Sequence, residues 1–245
     1  MTRTLRIGAL LAVLLGLSVA AYGGLRHLSA PRIDLLAMQA SQGREAARWP
    51  LEAAALAGNA RALRARGLSL LAQGHPQRMK HGMELLERAA RQGEQDAALD
   101  LGRLYFHGAK DRLPDYALAR YWLEQATASR PAASYYLALI ERNGLNGPAN
   151  PVRALEQLQR AADGGIAEAL FLLGNAYRYG EGVERDDARA LACFQQAATL
   201  EHAGALQALA LAHAHGELGL LPDDSQASVL FSLAHDALQS PPREP

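Results

Sequence analysis

A glycine recurs along this chain at a step of thirty-six residues: Gly108, Gly144, Gly180 and Gly216, with Gly74 two residues short of the same step. Its neighbours keep the same time. An alanine stands eleven places before each later mark (Ala97, Ala133, Ala169, Ala205), and a leucine seven before (Leu101, Leu137, Leu173, Leu209). Eighteen places after the marks, alanine returns as Ala126, Ala162, Ala198 and Ala234. A fixed period of this size argues for an array, in which each unit buries its apolar face against the next. The register covers about five units, from Asn59 to Gln239.

Each unit predicts two helices. In the unit around Gly180, the first spans about Ala167 to Tyr179, because Leu170, Leu173, Ala176 and Tyr177 share one face at helical spacing. Gly180 suits the left-handed residue that ends a helix. Asp186 or Asp187 then caps the second helix, whose buried stripe is Ala190, Phe194, Ala197 and Ala198. Asp115 and Asp223 stand at corresponding starts, and Pro151 serves the third unit. Counting from the marker glycines places Trp122, Leu158 and Phe194 at one bulky position of successive second helices. Upstream, residues 31–58 read as leading helices, one over Ile33 to Arg48 and one over Trp49 to Ala62. Residues 240–245 read as a disordered tail.

The composition agrees with helices throughout: 49% of residues are hydrophobic, mostly alanine and leucine, and few are β-branched. Lys+Arg and Asp+Glu are both 25, so a polyanionic partner such as nucleic acid is not indicated. The single cysteine, Cys193, permits no intramolecular disulfide, and no zinc-type Cys/His spacing occurs. Residues 1–30 hold the targeting signal. Arg3 and Arg6 precede the charge-free run Ile7–Leu25. Its length fits a transmembrane anchor; the alternative is a secretory signal cleaved after the small residues Ser18–Ala20. Both readings place the remainder outside the cytoplasmic membrane, as an inner-membrane protein facing the periplasm or as a periplasmic one.

The unit "AEALFLLGNAYRYGEGVERDDARALACFQQAA" resembles the Sel-one-like repeat, a relative of the tetratricopeptide repeat. The resemblance rests on Ala169, Leu173, Gly174, Tyr177, Gly180, Gly182, Val183, Asp186, Ala190, Phe194, Ala197 and Ala198. The Ala97 unit keeps Leu101, Gly102, Tyr105, Gly108, Asp115, Ala119, Trp122 and Ala126, but its connecting loop is one residue longer. Glu141 and His213 replace the tyrosine in the third and fifth units, and Ala210 replaces the inner glycine of the fifth. The resemblance implies an all-α fold, an α/α right-handed superhelical solenoid of helix-turn-helix repeats. Its first helices would line a concave face. It also implies a non-enzymatic adaptor at the bacterial envelope that binds a partner protein. Two rival roles come with it: an immunity protein against an exported antibacterial effector, and an assembly factor for exopolysaccharide export.

No constellation for chemistry stands out. His213 and His215 are two residues apart, so on a helix they point in nearly opposite directions and do not share a metal. Cys193 sits in the second helix beside Phe194 and reads as a partly buried, inert thiol, and the acidic "ERDD" matches a helix cap. Neither cofactor nor metal is expected. The functional expectation is a surface: first-helix residues outside the repeat pattern, counted at fixed places before each glycine. These are Asp100, Arg103 and His107; Tyr136 and Asn143; Asn175, Arg178 and Tyr179; and His215. Mixed polar and aromatic side chains of this kind suit a protein contact.

Overall fold

The computed structural model describes residues 23–108, 112–127 and 129–239. The predicted anchor or signal and the predicted tail lie outside these, apart from Gly23–Ala30. Among the described residues the chain is helical and contains no strand. The helices are α1 (Ala30–Ser41), α2 (Glu45–Leu56), α3 (Ala60–Leu71), α4 (Pro76–Arg91), α5 (Gln95–His107), α6 (Tyr116–Ala126), α7 (Pro131–Asn143), α8 (Pro151–Asp163), α9 (Ala167–Tyr179), α10 (Asp187–Thr199), α11 (Ala203–His215) and α12 (Asp224–Gln239). None is long and apolar enough to cross a membrane. The chain forms two compact units, divided inside α5 between Leu101 and Gly102.

In the first unit, Ile33, Leu51, Leu63, Leu85 and Leu86 form the buried core with small alanines between them. The expected helix from Ile33 to Arg48 is in fact two, α1 and α2. Gly43 adopts φ +82° between them, a value open to glycine at little cost. Helices α3 and α4 cross at Gly67 and Gly82. A Cβ on either would lie 2.8 or 2.7 Å from the other's carbonyl oxygen, so only glycine allows that approach.

The second unit repeats one junction. Gly108, Gly144, Gly180 and Gly216 all take left-handed φ between +63° and +73°, ending α5, α7, α9 and α11. After the loop, the backbone N–H of Asp115, Asn150, Asp186 and Asp223 donates to the carbonyl three residues before the glycine, at 2.8–2.9 Å. The side-chain Oδ1 of the same four residues accepts an N–H of the next helix's first turn, at 2.9–3.0 Å. The helix cap therefore both starts the second helix and fastens it to the first. Asp186 is the cap of α10, while Asp187 pairs with Arg185. Asn150 caps α8, with Pro151 at its first turn.

The extra loop residue in the Ala97 unit shifts the second helix by one place. Gly102 faces Leu123, just as Gly174 faces Phe194; a Cβ on either glycine would come within 2.5–2.7 Å of that partner. The residue equivalent to Leu158 and Phe194 is thus Leu123, not Trp122 as the glycine count implied. All three are 0–2% exposed.

Candidate functional site

The expected surface residues lie on α5, α7, α9 and α11, the first helices of successive repeats. Their side chains divide into those that hold the array together and those that do not. Tyr136 belongs to the first group. It is only 4% exposed, packed edge-on by Phe106 (ring centroids 5.2 Å apart), His107 (5.6 Å) and Tyr135 (5.3 Å), with the Arg103 guanidinium 5.7 Å from its ring. The expectation that Tyr136 stands open on the face is therefore corrected: the aromatic residues of α5 and α7 cover it.

Arg178 is also structural. Its guanidinium pairs with Glu217 of the next loop and lies 5.4 Å over the ring of Tyr179. Arg142 makes the same contact one repeat earlier, donating to Glu181 Oε2 from Nε at 3.0 Å and Nη2 at 2.8 Å. In both, the arginine stands two places before one marker glycine and the glutamate one place after the next. These pairs were legible as a thirty-nine-residue spacing of Arg and Glu, which a search for unrepeated letters passes over. In the first unit, Asp100 is held by Arg64 (Nε–Oδ2 2.6 Å), and Arg61 bridges Asp34 (2.7 Å) and Glu94 (3.5 Å).

A different row remains. The place just before each left-handed glycine holds His107, Asn143, Tyr179 and His215, and all four are exposed. Tyr179 is 64% exposed. One turn earlier, Arg103 and Asn175 are half-buried, and Leu211 is 37% exposed. These side chains come once per repeat, at helix ends held in place by the glycine and the cap behind it.

Two further polar groups have structural tasks. Glu141, at the tyrosine place, is buried and pairs with Arg120 of α6 at 2.5 Å. His202 caps α11: Nδ1 accepts the Ala205 N–H at 3.1 Å, and the ring stacks on Phe171 with centroids 4.8 Å apart. Burial pushes its pKa below the ordinary value, against the pull of Glu168. Cys193 lines a cavity with Leu170, Leu173 and Tyr177, and burial raises its thiol pKa, the reverse of an activated nucleophile. Among the described residues, no three His, Cys, Asp or Glu side chains converge on a point that could hold a metal ion.

The repeated glycine, cap and alanine stripe decide the comparison with known proteins. The family described as Sel1 repeat matches residues 60–94, 95–129, 131–166, 167–202 and 203–234. The chain belongs to the Sel1 repeat family. Sel1 repeats generally mediate protein–protein interaction, and their fold is typically a non-catalytic scaffold. A Sel1 repeat protein from Oxalobacter formigenes superposes with a TM-score of 0.74 at 25% identity, over 84% of this chain and 86% of that one. A protective antigen of uropathogenic Escherichia coli displaying an SLR fold has a TM-score of 0.72 at 23% identity, over 85% of this chain and 48% of its own, a likeness of fold. The Sel1 chain therefore has the all-α solenoid fold of these structures. In sequence it is similar to the alginate biosynthesis protein AlgK of Pseudomonas syringae pv. tomato, 37% identical over 108 residues, which is 44% of this chain and 23% of that protein. AlgK of Azotobacter vinelandii is 37% identical over 94 residues, 38% of this chain and 20% of its own. The matched part thus spans about a fifth of these relatives.

Proposed function

We propose that this Sel1 repeat protein is a non-enzymatic adaptor of the bacterial cell envelope that presents the row His107, Asn143, Tyr179 and His215 to a partner protein. The observation that carries the reading is the contrast along the first helices. The residue two places before the glycine is Arg142 or Arg178, spent on its neighbour's glutamate, while the next residue is exposed in four successive repeats. An exposed tyrosine among amide and imidazole groups, fixed on helix ends, suits recognition because few rotamers are lost on binding. The envelope location is supported by Arg3, Arg6 and the charge-free run Ile7–Leu25. The test is a photo-crosslinking residue at Tyr179 in living cells, followed by identification of the captured protein. Changing His107, Asn143, Tyr179 and His215 together to alanine is expected to abolish capture while circular dichroism shows the chain still folded; loss of the His107–Tyr136 and Arg178–Tyr179 ring contacts lowers the melting temperature only slightly. Undiminished co-purification with that variant would remove the row from the reading. A captured exported toxin would make the chain an inhibitor rather than an adaptor.

The similarity to AlgK favours a narrower version, in which the partner belongs to a polysaccharide-assembly apparatus. Deleting the gene and measuring surface polysaccharide tests it; unchanged polysaccharide refutes it.

A further inference from the structure

The first helix pair exposes more apolar surface than its packing requires. On α1, Pro31, Leu35 and Met38 recur at helical spacing on the side away from buried Ile33, and Leu35 and Met38 are 49% and 51% exposed. On α2, Trp49, Ala53 and Leu56 do the same on the side away from Leu51 and Ala54; Trp49 is 74% and Leu56 72% exposed. A tryptophan so far in solvent contrasts with Trp122, which is 4% exposed.

The charges around these stripes are not balanced. Between Gly23 and Trp49 stand Arg26, Arg32, Arg44 and Arg48 against Asp34 and Glu45. Asp34 is held by Arg61 at 2.7 Å, and Glu45 by Arg48 at 2.6 Å. Glu52, the other carboxylate on α2, is held by Arg66 at 2.8 Å. Arg26, Arg32 and Arg44 are exposed and have no acidic partner among the described residues. A local positive surplus thus sits in a chain of zero formal charge, in the same stretch of sequence as the exposed tryptophan, leucine and methionine. Arg26 directly follows the run Ile7–Leu25. Only four residues, Arg26 to Ser29, separate Leu25 from the first residue of α1, a reach of at most about 17 Å for an extended chain.

We propose that α1 and α2 dock on an anionic phospholipid surface, Leu35, Met38 and Trp49 entering the headgroup boundary while Arg26, Arg32 and Arg44 meet phosphate groups. Tryptophan with aliphatic neighbours fits that boundary, and unpaired arginines fit its negative potential. A protein partner would match the apolar stripes alone and would leave the adjoining apolar run and the arginines without a role. The docking would hold the repeats at the membrane instead of trailing from it. It rests on the envelope location proposed above, not on the partner-binding row.

The full chain, in vesicles of phosphatidylcholine alone or mixed with phosphatidylglycerol and carrying brominated acyl chains, tests this. Tryptophan emission has two sources, and the Trp49→Phe protein supplies the buried Trp122 background. Trp49 emission is expected to shift to the blue and be quenched in the anionic vesicles. Changing Arg26, Arg32 and Arg44 together to serine is expected to weaken the docking equilibrium about a hundredfold at low salt. Trp49 emission that stays unquenched in both compositions would overturn the docking and leave the adaptor reading intact. Quenching that is equal in both and indifferent to the arginines would overturn the anionic surface as its target.

Discussion

Replacing Glu141 by tyrosine, the residue at the same place in the neighbouring repeats, is expected to weaken the fold although it moves the sequence toward its own repeat pattern. Tyr105 and Tyr177 stand at that place on α5 and α9, and substitutions toward a repeat's common residue usually stabilise. Here the carboxylate has a specific partner. Arg120 Nη1 donates to Glu141 Oε1 at 2.5 Å, with the side chains only 23% and 10% exposed. Counting from the helix caps, Arg120 stands where Leu155 and Leu191 stand in the next two repeats, so Arg120 and Glu141 replace a leucine and a tyrosine together. Removing one partner of a buried ion pair costs about 3–5 kcal/mol, because the other charge stays behind unpaired. Arg120 keeps some contact with solvent, which lowers the expected loss to about 2–3 kcal/mol. For a chain of this size that is a fall in melting temperature of roughly 5–10 °C, read by circular dichroism. Adding Arg120→Leu to Glu141→Tyr is expected to restore stability to within about 1 kcal/mol, since a well-packed apolar pair replaces a buried ion pair at little loss. A Glu141→Tyr protein that melts at or above the parent, or a double variant less stable than the single one, would refute the argument.

Three other outcomes follow from the geometry. Gly182→Ala should cost at least about 2 kcal/mol in urea unfolding, because φ is +75° and the new Cβ would meet the Pro151 backbone at 2.6 Å; Gly165→Ala, at φ +80° with open space, should lose only about 1 kcal/mol. His202 caps α11 only while neutral, and burial holds its folded pKa below the usual 6.5, so its contribution is present above that value and lost as pH falls through the folded one. Urea midpoints at about pH 7.5 and about pH 5 should therefore differ more for the parent than for His202→Asn, which keeps a cap that does not titrate. Arg178 and Glu217, with side chains 20% and 43% exposed, should show a double-mutant coupling of about 0.5–1 kcal/mol that shrinks as salt is raised.

The fold was legible because its devices are local. Gly180 ends α9, and Asp186 starts α10, each by a backbone requirement that one residue type meets best, so the bounds Ala167–Tyr179 could be read directly. The side-chain register of the second helix was less legible. It depends on loop length, and the extra residue after Gly108 moved the buried place from Trp122 to Leu123. The break at Gly43 was passed over although the sequence marks it: Ser41 to Glu45 holds no apolar side chain, and its glycine is the residue that takes the left-handed turn between α1 and α2. For the surface, sequence counting found the exposed place just before each glycine, His107, Asn143, Tyr179 and His215. It could not separate them from Tyr136, Asp100 and Arg178. Burial of Tyr136 needs Phe106 and Tyr135 folded around it, and the two charged side chains are occupied by partners thirty-six and thirty-nine residues away.

The residues at the places where Arg142 meets Glu181 and Arg178 meets Glu217 also carry an address. Two places before the marker glycine, the second, third and fourth repeats present Phe106, Arg142 and Arg178; one place after the next glycine, their successors hold Leu145, Glu181 and Glu217. An apolar side chain is thus followed by an apolar one, and a cation by an anion. Exchanging the second and third repeats would set Phe106 opposite Glu181 and leave Leu145 without its aromatic predecessor, although every helix would survive unchanged. Repeats that share one backbone are therefore not interchangeable parts: each is written for the neighbour that follows it, and the order of the array is fixed by chemistry as well as by covalent sequence.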